Sequence, residues 1–209
     1  MNKTLLLLTV SIALLANVSI AQDMRSSIHL GPKVGVNISN VYDSESEDFD
    51  ADPKLGLAAG LFVSIPIGKF LGIQPEALFS QKRFKASGSI LGSDYTITRT
   101  LNYIDIPLLV VVKPSEKFSI VAGPQYSYLM SSKDVFENSL LNVEQEEEFD
   151  NDNLRRNTLC FLGGFDINLN SAVIGARVGW DLMQNNGDGS SSTIRYKNVW
   201  YQATIGFRF

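Results

Sequence analysis

The chain has 209 residues, 44% of them apolar and 19% charged, which is enough material for one domain and too little charge for a disordered polymer. A formal net charge of -4 excludes the basic surface that a nucleic-acid partner requires. A lone cysteine, Cys160, excludes an intrachain disulfide framework and any multi-thiolate metal site, while sixteen Gly, twelve Phe and seven Tyr among short alternating runs favour an all-β fold.

The first segment reads as a secretory signal peptide. Lys3 gives a positive start, residues 5–15 an apolar run, and Ser19-Ile20-Ala21 the small residues that precede a cleavage point between Ala21 and Gln22. The run is shorter than the ~20 residues of a spanning helix, and no Cys follows it to carry a lipid. Cleavage removes one Lys and no acid, so the remaining chain is one unit more negative. The expected organisation is a signal peptide over 1–21 and one domain over 22–209. No later stretch is apolar enough to span as a helix, which leaves a soluble exported protein or a membrane barrel.

From Ser27 the hydrophobicity alternates with period two, the signature of strands. In the first run Ile28, Leu30, Val34, Val36 and Ile38 oppose His29, Lys33 and Asn37. The second, about 54–67, sets Leu55, Leu57, Leu61, Val63 and Ile65 against Gly56, Gly60 and Ser64. The third, about 70–84, sets Leu71, Ile73, Ala77 and Phe79 against Gln74, Glu76, Ser80 and Lys82. In the fourth, about 95–113, the apolar phase changes near Asn102 to Asp105; either a bulge shifts the register or the upper half projects beyond a bilayer as a polar-faced extension. The fifth, about 117–130, aligns Phe118, Ile120, Ala122, Pro124, Tyr126 and Tyr128. The sixth, about 157–169, opposes Leu159, Phe161, Phe165 and Ile167 to Cys160, Gly164 and Asp166. The seventh, about 172–182, opposes Ile174, Ala176, Val178 and Trp180 to Arg177 and Asp181. The eighth sets Val199, Tyr201, Ala203, Ile205, Phe207 and Phe209 against Trp200, Gln202, Thr204 and Arg208.

The connections alternate in length. Long ones fall at 39–53, 85–94, 131–156 and 184–195, and short ones at 68–69, 114–116 and 170–171. An up-and-down barrel puts alternate connections at opposite rims, so the pattern predicts an all-β, eight-stranded antiparallel transmembrane β-barrel with long outer loops and tight periplasmic turns. A soluble barrel shares the period, so the second face decides. It carries Gly together with Lys33, Glu76, Lys82, Asp105, Asp166, Arg177, Asp181 and Arg208, which suits a narrow polar interior. The Leu, Ile, Val and aromatic face, closed into a ring, suits hydrocarbon and not water. Outer-membrane lipid is therefore the expected surroundings. Aromatics sit toward the strand ends as interfacial girdles do, with Tyr126, Tyr128 and Trp180 on the long-loop side and Phe70, Phe118, Phe207 and Phe209 on the other. The terminal Phe209 resembles the signal read by the barrel insertion machinery.

The segments Gly31-Pro-Lys-Val-Gly-Val-Asn37, Ile73-Gln-Pro-Glu-Ala-Leu-Phe-Ser-Gln-Lys82, Leu101-Asn-Tyr-Ile-Asp-Ile-Pro-Leu-Leu-Val110 and Ala122-Gly-Pro-Gln-Tyr-Ser-Tyr128 resemble the PorT-like outer-membrane β-barrel family of Bacteroidota, often labelled "porin family". The resemblance covers essentially the whole chain after the signal and implies membership of a barrel class. It does not imply a channel, because side chains fill the interior of an eight-stranded barrel.

The interior charges are read as a structural ion-pair and hydrogen-bond network, since a charge in a dry interior must be paired. Arg177 and Asp181 point the same way four residues apart, with Glu76 positioned to complete a cluster. His29 is the only histidine and falls at the short-turn end, away from the outer rim where a barrel hydrolase needs its acid-base group, so no enzyme activity is expected. The long loops gather acid: Asp43, Glu45, Glu47 and Asp48 in the first, Glu146, Glu147 and Glu148 in the third. These are read as solvation of the loops, as they lack the spacing and turn Gly of a Ca²⁺ loop. No cofactor and no metal are expected. The function expected is a non-enzymatic integral barrel of the cell envelope, with loops that meet an unidentified envelope protein partner. The alternatives are a small-solute pore and, beyond it, a soluble secreted ligand carrier.

Overall fold

The fold is seen in a computed structural model that describes residues 24–42, 50–90, 93–138, 141–145, 154–186 and 195–209. A short 3-10 turn, Met24–Ser26, leads into nine strands: β1 (His29–Tyr42), β2 (Asp50–Pro66), β3 (Leu71–Ile90), β4 (Ser93–Val112), β5 (Phe118–Asn138), β6 (Leu141–Gln145), β7 (Asn157–Leu169), β8 (Ala172–Asp181) and β9 (Lys197–Phe207). Eight of them close a ring in the order β1-β2-β3-β4-β5-β7-β8-β9, with β6 folded back on the end of β5. Every pairing is antiparallel. The seam between β9 and β1 runs from Lys33↔Gly206 to Tyr42↔Lys197 and continues through Phe209, whose N–H donates to the Leu30 carbonyl at 2.9 Å. Closure leaves the ring no edge, the condition for crossing hydrocarbon with strands. Among the described residues no helix is long and apolar enough to cross a membrane.

The orientation follows the expectation from the alternation. Leu30, Val34, Val36 and Ile38 of β1, Leu55, Leu57 and Leu61 of β2, and Tyr201, Ile205 and Phe207 of β9 point outward and are exposed. Their neighbours in sequence are buried in the tube. In β4, Leu108 is 52% exposed and Leu109 0%. The short turns join β2 to β3, β4 to β5 and β7 to β8; in the last, Asn170 holds φ at 26°, the left-handed conformation a two-residue hairpin turn demands and Asn tolerates.

Two expected loops are partly strand. Residues 85–94 belong to β3 and β4, and 131–138 to β5, so β3, β4 and β5 run to 20, 20 and 21 residues while β7, β8 and β9 have 13, 10 and 11. One wall of the barrel therefore rises well beyond the ~9–11 residues needed to cross a membrane. The phase change in β4 belongs to this wall. Its odd-numbered residues from Leu101 to Val111 stay buried throughout, so the backbone of β4 is not shifted. What inverts is the chemistry: the outward positions are Ile104, Ile106, Leu108 and Val110 in the lower half and Asn102, Thr100, Thr98 and Thr96 in the upper, where Leu101 and Tyr103 now pack inside. The neighbours change in step, with Phe79 giving way to Gln81, Arg83 and Lys85 on β3, and Tyr128 and Met130 to Ser131 and Lys133 on β5. A bulge does lie at this level, on the facing strand: Asn102 pairs with Ser131 and Tyr103 with Leu129, leaving Met130 of β5 as the extra residue.

Candidate functional site: the filled interior

The inward positions do not form the uniform polar lining that the alternation suggests. They form layers. Nearest the short turns, Glu76 of β3 accepts from Lys33 Nζ at 2.8 Å, from Gln74 Nε2 at 2.7 Å and from Arg177 NH1 at 2.8 and 2.9 Å, while Arg177 NH2 reaches Asp166 at 3.3 Å. Four side chains from β1, β3, β7 and β8 are thus brought together by register alone. Two cations and two acids satisfy one another in a space with almost no exposure. Gly175 stands where a Cβ would meet both Asp166 Oδ1, at 2.6 Å, and Thr204 Oγ1, at 2.7 Å, so its lack of a side chain lets Asp166 lie flat on the wall.

Farther along, Leu109, Val111, Val121, Cys160, Leu162 and Trp200 form a buried apolar layer across the tube. The Trp200 indole occupies the space that a side chain on Gly179 would take. Beside it lies a second polar group. Lys82 Nζ sits 3.6 Å above the Trp200 ring and 4.5 Å from that of Tyr103, with Asp181 Oδ1 at 3.9 Å. Asp181 accepts from the Asn198 backbone N–H at 3.0 Å and from the Cys160 thiol at 3.0 Å; Asp105 accepts from Ser127 Oγ at 2.6 Å. Lys82 thereby holds its charge by two aromatic faces and a carboxylate in place of a direct hydrogen bond.

Above this level a second apolar layer closes the tube: Val41, Phe84, Leu101, Tyr103, Leu129, Leu154 and Tyr196. Leu154 and Tyr196 lie outside the strands. They are carried in by bonds between the last two long connections, with the Arg155 N–H donating to the Asn185 carbonyl at 2.6 Å and the Tyr196 N–H to Asn185 Oδ1 at 2.8 Å. Phe84 meets the Tyr196 ring edge-on at 5.3 Å, and Arg99 Nε bonds Asp134 at 2.8 Å at the margin of the layer.

Of the interior residues singled out in the sequence, Lys33, Glu76, Asp166 and Arg177 form the first polar group; Lys82, Asp105 and Asp181 belong to the second. Asp181 does not join Arg177 despite their shared face. Four residues of strand separate them along the axis, and each finds partners across the tube instead. Arg208 joins neither group: it lies at the short-turn rim, bonded to the Asn170 carbonyl at 2.6 Å and to Asn168 Oδ1 at 3.2 Å. His29 lies at the same rim, its Nδ1 3.4 Å from the Phe209 carbonyl. The Ala21–Gln22 junction and the acidic residues Asp43, Glu45, Glu47, Asp48, Glu146, Glu147 and Glu148 lie outside the described residues. Gln74, Ser127, Asn198 and Trp200 share the parity of the charged interior positions, and that parity was the signal by which they too belong to the lining. Leu154 and Tyr196 carry no such signal, because they come from connections and not from alternating strands. Among the described residues no group of three His, Cys, Asp or Glu side chains is arranged to hold a metal ion.

Known structures similar to this chain are membrane barrels. Ail, the attachment invasion locus protein of Yersinia pestis, solved with the heparin analogue sucrose octasulfate, is 17% identical over 88% of this chain and 99% of its own, with a TM-score of 0.49. Neisserial surface protein A is 8% identical over 87% and 97%, with a TM-score of 0.46, and OprG from Pseudomonas aeruginosa 15% over 87% and 95%, with 0.43. No curated protein sequence matches the chain. Residues 20–206 match the family model described as "Outer membrane protein beta-barrel domain". With that match over nearly the whole length and an apolar belt around a closed ring, the chain belongs to the outer-membrane β-barrel domain family and is a protein of the outer membrane.

Proposed function

We propose that the protein is a non-enzymatic, non-conducting barrel whose filled lumen serves stability and whose long-loop rim, carrying the acidic loops, faces the cell exterior and meets an envelope protein partner. The observation that carries this reading is the stacking of layers in the lumen: an ion-pair group, an apolar layer around Trp200, the Lys82 group and an apolar cap, each spanning the tube. An aqueous path must break several of these at once. The eight charged positions are assigned a structural role on the same ground, with Arg208 fastening the last strand to the β7–β8 turn. The PorT-like reading of the motif Leu101-Asn-Tyr-Ile-Asp-Ile-Pro-Leu-Leu is supported by the place of Asp105 and Tyr103 in the lumen and of Ile104, Ile106 and Leu108 on the outer wall.

Purified protein reconstituted in a planar bilayer tests the function. No reproducible conductance steps are expected; discrete, reproducible steps would overturn the reading in favour of a small-solute pore. Two further assignments have their own measurements. N-terminal sequencing of protein extracted from outer membranes is expected to begin at Gln22, after cleavage behind Ala21. Deleting Phe209 is expected to lower the membrane-assembled fraction in cells while the purified variant still refolds in detergent, as befits a signal for the insertion machinery.

A further inference from the structure

The short-turn mouth of the barrel contains a cavity of about 450 Å³, open to solvent on one side. Its walls are unlike the rest of the molecule. In a chain of net charge -4, three arginine and lysine side chains, Arg25, Lys113 and Arg208, stand around this one opening together with His29. Two acids lie among them, Glu116 on the turn and Asp166, which is engaged by Arg177. The hydroxyls of Ser64, Ser115 and Ser119 add donors between the cations.

The cations are held in place from several elements. Lys113, buried at the end of β4, donates from Nζ to the Arg25 carbonyl at 3.2 Å, which ties the entry turn across the mouth; the Arg25 guanidinium lies 5.4 Å over the Phe70 ring, and Arg208 is fixed by its two bonds to the β7–β8 turn. The oxygens that position them are carbonyl and amide groups, which orient the heads without calling for a single rotamer of each. A ring of donors converging on one pocket from four sides suits a tetrahedral oxyanion, whose several acceptor oxygens can each take a charge-assisted bond. A planar carboxylate uses fewer of them.

We propose that this cup binds a phosphate group, presented by a dissolved phosphorylated solute or by a phospholipid headgroup of the adjoining leaflet. The proposal rests on the orientation given above, in which the short turns face the periplasm, only for the source of the ligand; the cup itself does not depend on it.

The test uses the full mature barrel in a maltoside detergent, titrated calorimetrically with inorganic phosphate, and in parallel the barrel in vesicles of phosphatidylglycerol or phosphatidylcholine, with native mass spectrometry of retained lipid. Saturable phosphate binding that weakens about tenfold in Lys113→Gln and in Arg25→Gln, as expected for the loss of one charge-assisted bond, supports the cup with a solute as its ligand. Selective retention of phosphatidylglycerol, lost in the same two variants, supports it with a lipid. Lys117→Gln changes a turn lysine outside the cup and is expected to leave either signal within about twofold. Absence of both signals, or equal weakening by Lys117→Gln, overturns the proposal. Arg25 lies outside the strands, so its variant reports on the cup even if Lys113→Gln fails to fold. The planar-bilayer result is independent of all these outcomes.

Discussion

At the residue scale the interior is governed by the cost of a charge without a partner. Glu76 joins Lys33, Gln74 and Arg177, so Glu76→Gln leaves two buried cations facing one remaining acid, Asp166. The loss expected is about 3–5 kcal/mol of stability, read as a fall in the urea midpoint of the barrel refolded in vesicles. Gly179 tests packing rather than charge. A side chain there collides with the Trp200 indole and with the Leu162 methyl, so Gly179→Val is expected to destabilise by about 1–3 kcal/mol in the same assay. That charged positions belong to the interior was legible from parity alone. Which charge meets which was not. Arg177 and Asp181 share a face and still go to different groups, because pairing across a tube is set by the registers of strands far apart in sequence, and alternation within one strand carries no information on register.

At the element scale the informative strand is β4. Its upper half reads as a conflict if every strand is assumed to lie in one solvent, and as consistent once the strand passes from lipid into water: the side that must be apolar changes while the pleat does not. Residues 85–94 and 131–138 were read as loops for the related reason that strands outside the membrane lack the strong outward hydrophobic stripe. The inversion makes a quantitative prediction. Leu108→Arg places a cation on the lipid-facing belt and is expected to cost about 2–4 kcal/mol, whereas Thr98→Arg, also outward but on the raised wall, is expected to cost about 0–1 kcal/mol. Equal penalties at the two sites, measured by reversible unfolding in vesicles, would place the raised wall in the bilayer.

At the scale of the whole molecule, closure and orientation decide everything else. The number of strands and the alternating connection lengths were legible in the sequence, as was the identity of the outward face; the layered filling and the apolar cap were not, since they depend on Leu154 and Tyr196 folding in from connections. The central claim is that β4 presents Ile106, Leu108 and Val110 to acyl chains and packs Leu109 and Val111 inside. Spin labels at single cysteines along residues 104–112, introduced one at a time into a Cys160→Ala background and examined in lipid vesicles, test it most directly. Collisions with oxygen dissolved in the acyl region should peak at the even positions and fall at the odd ones, whose labels should be immobilised. The opposite phase, or accessibility without a period of two, would contradict the account.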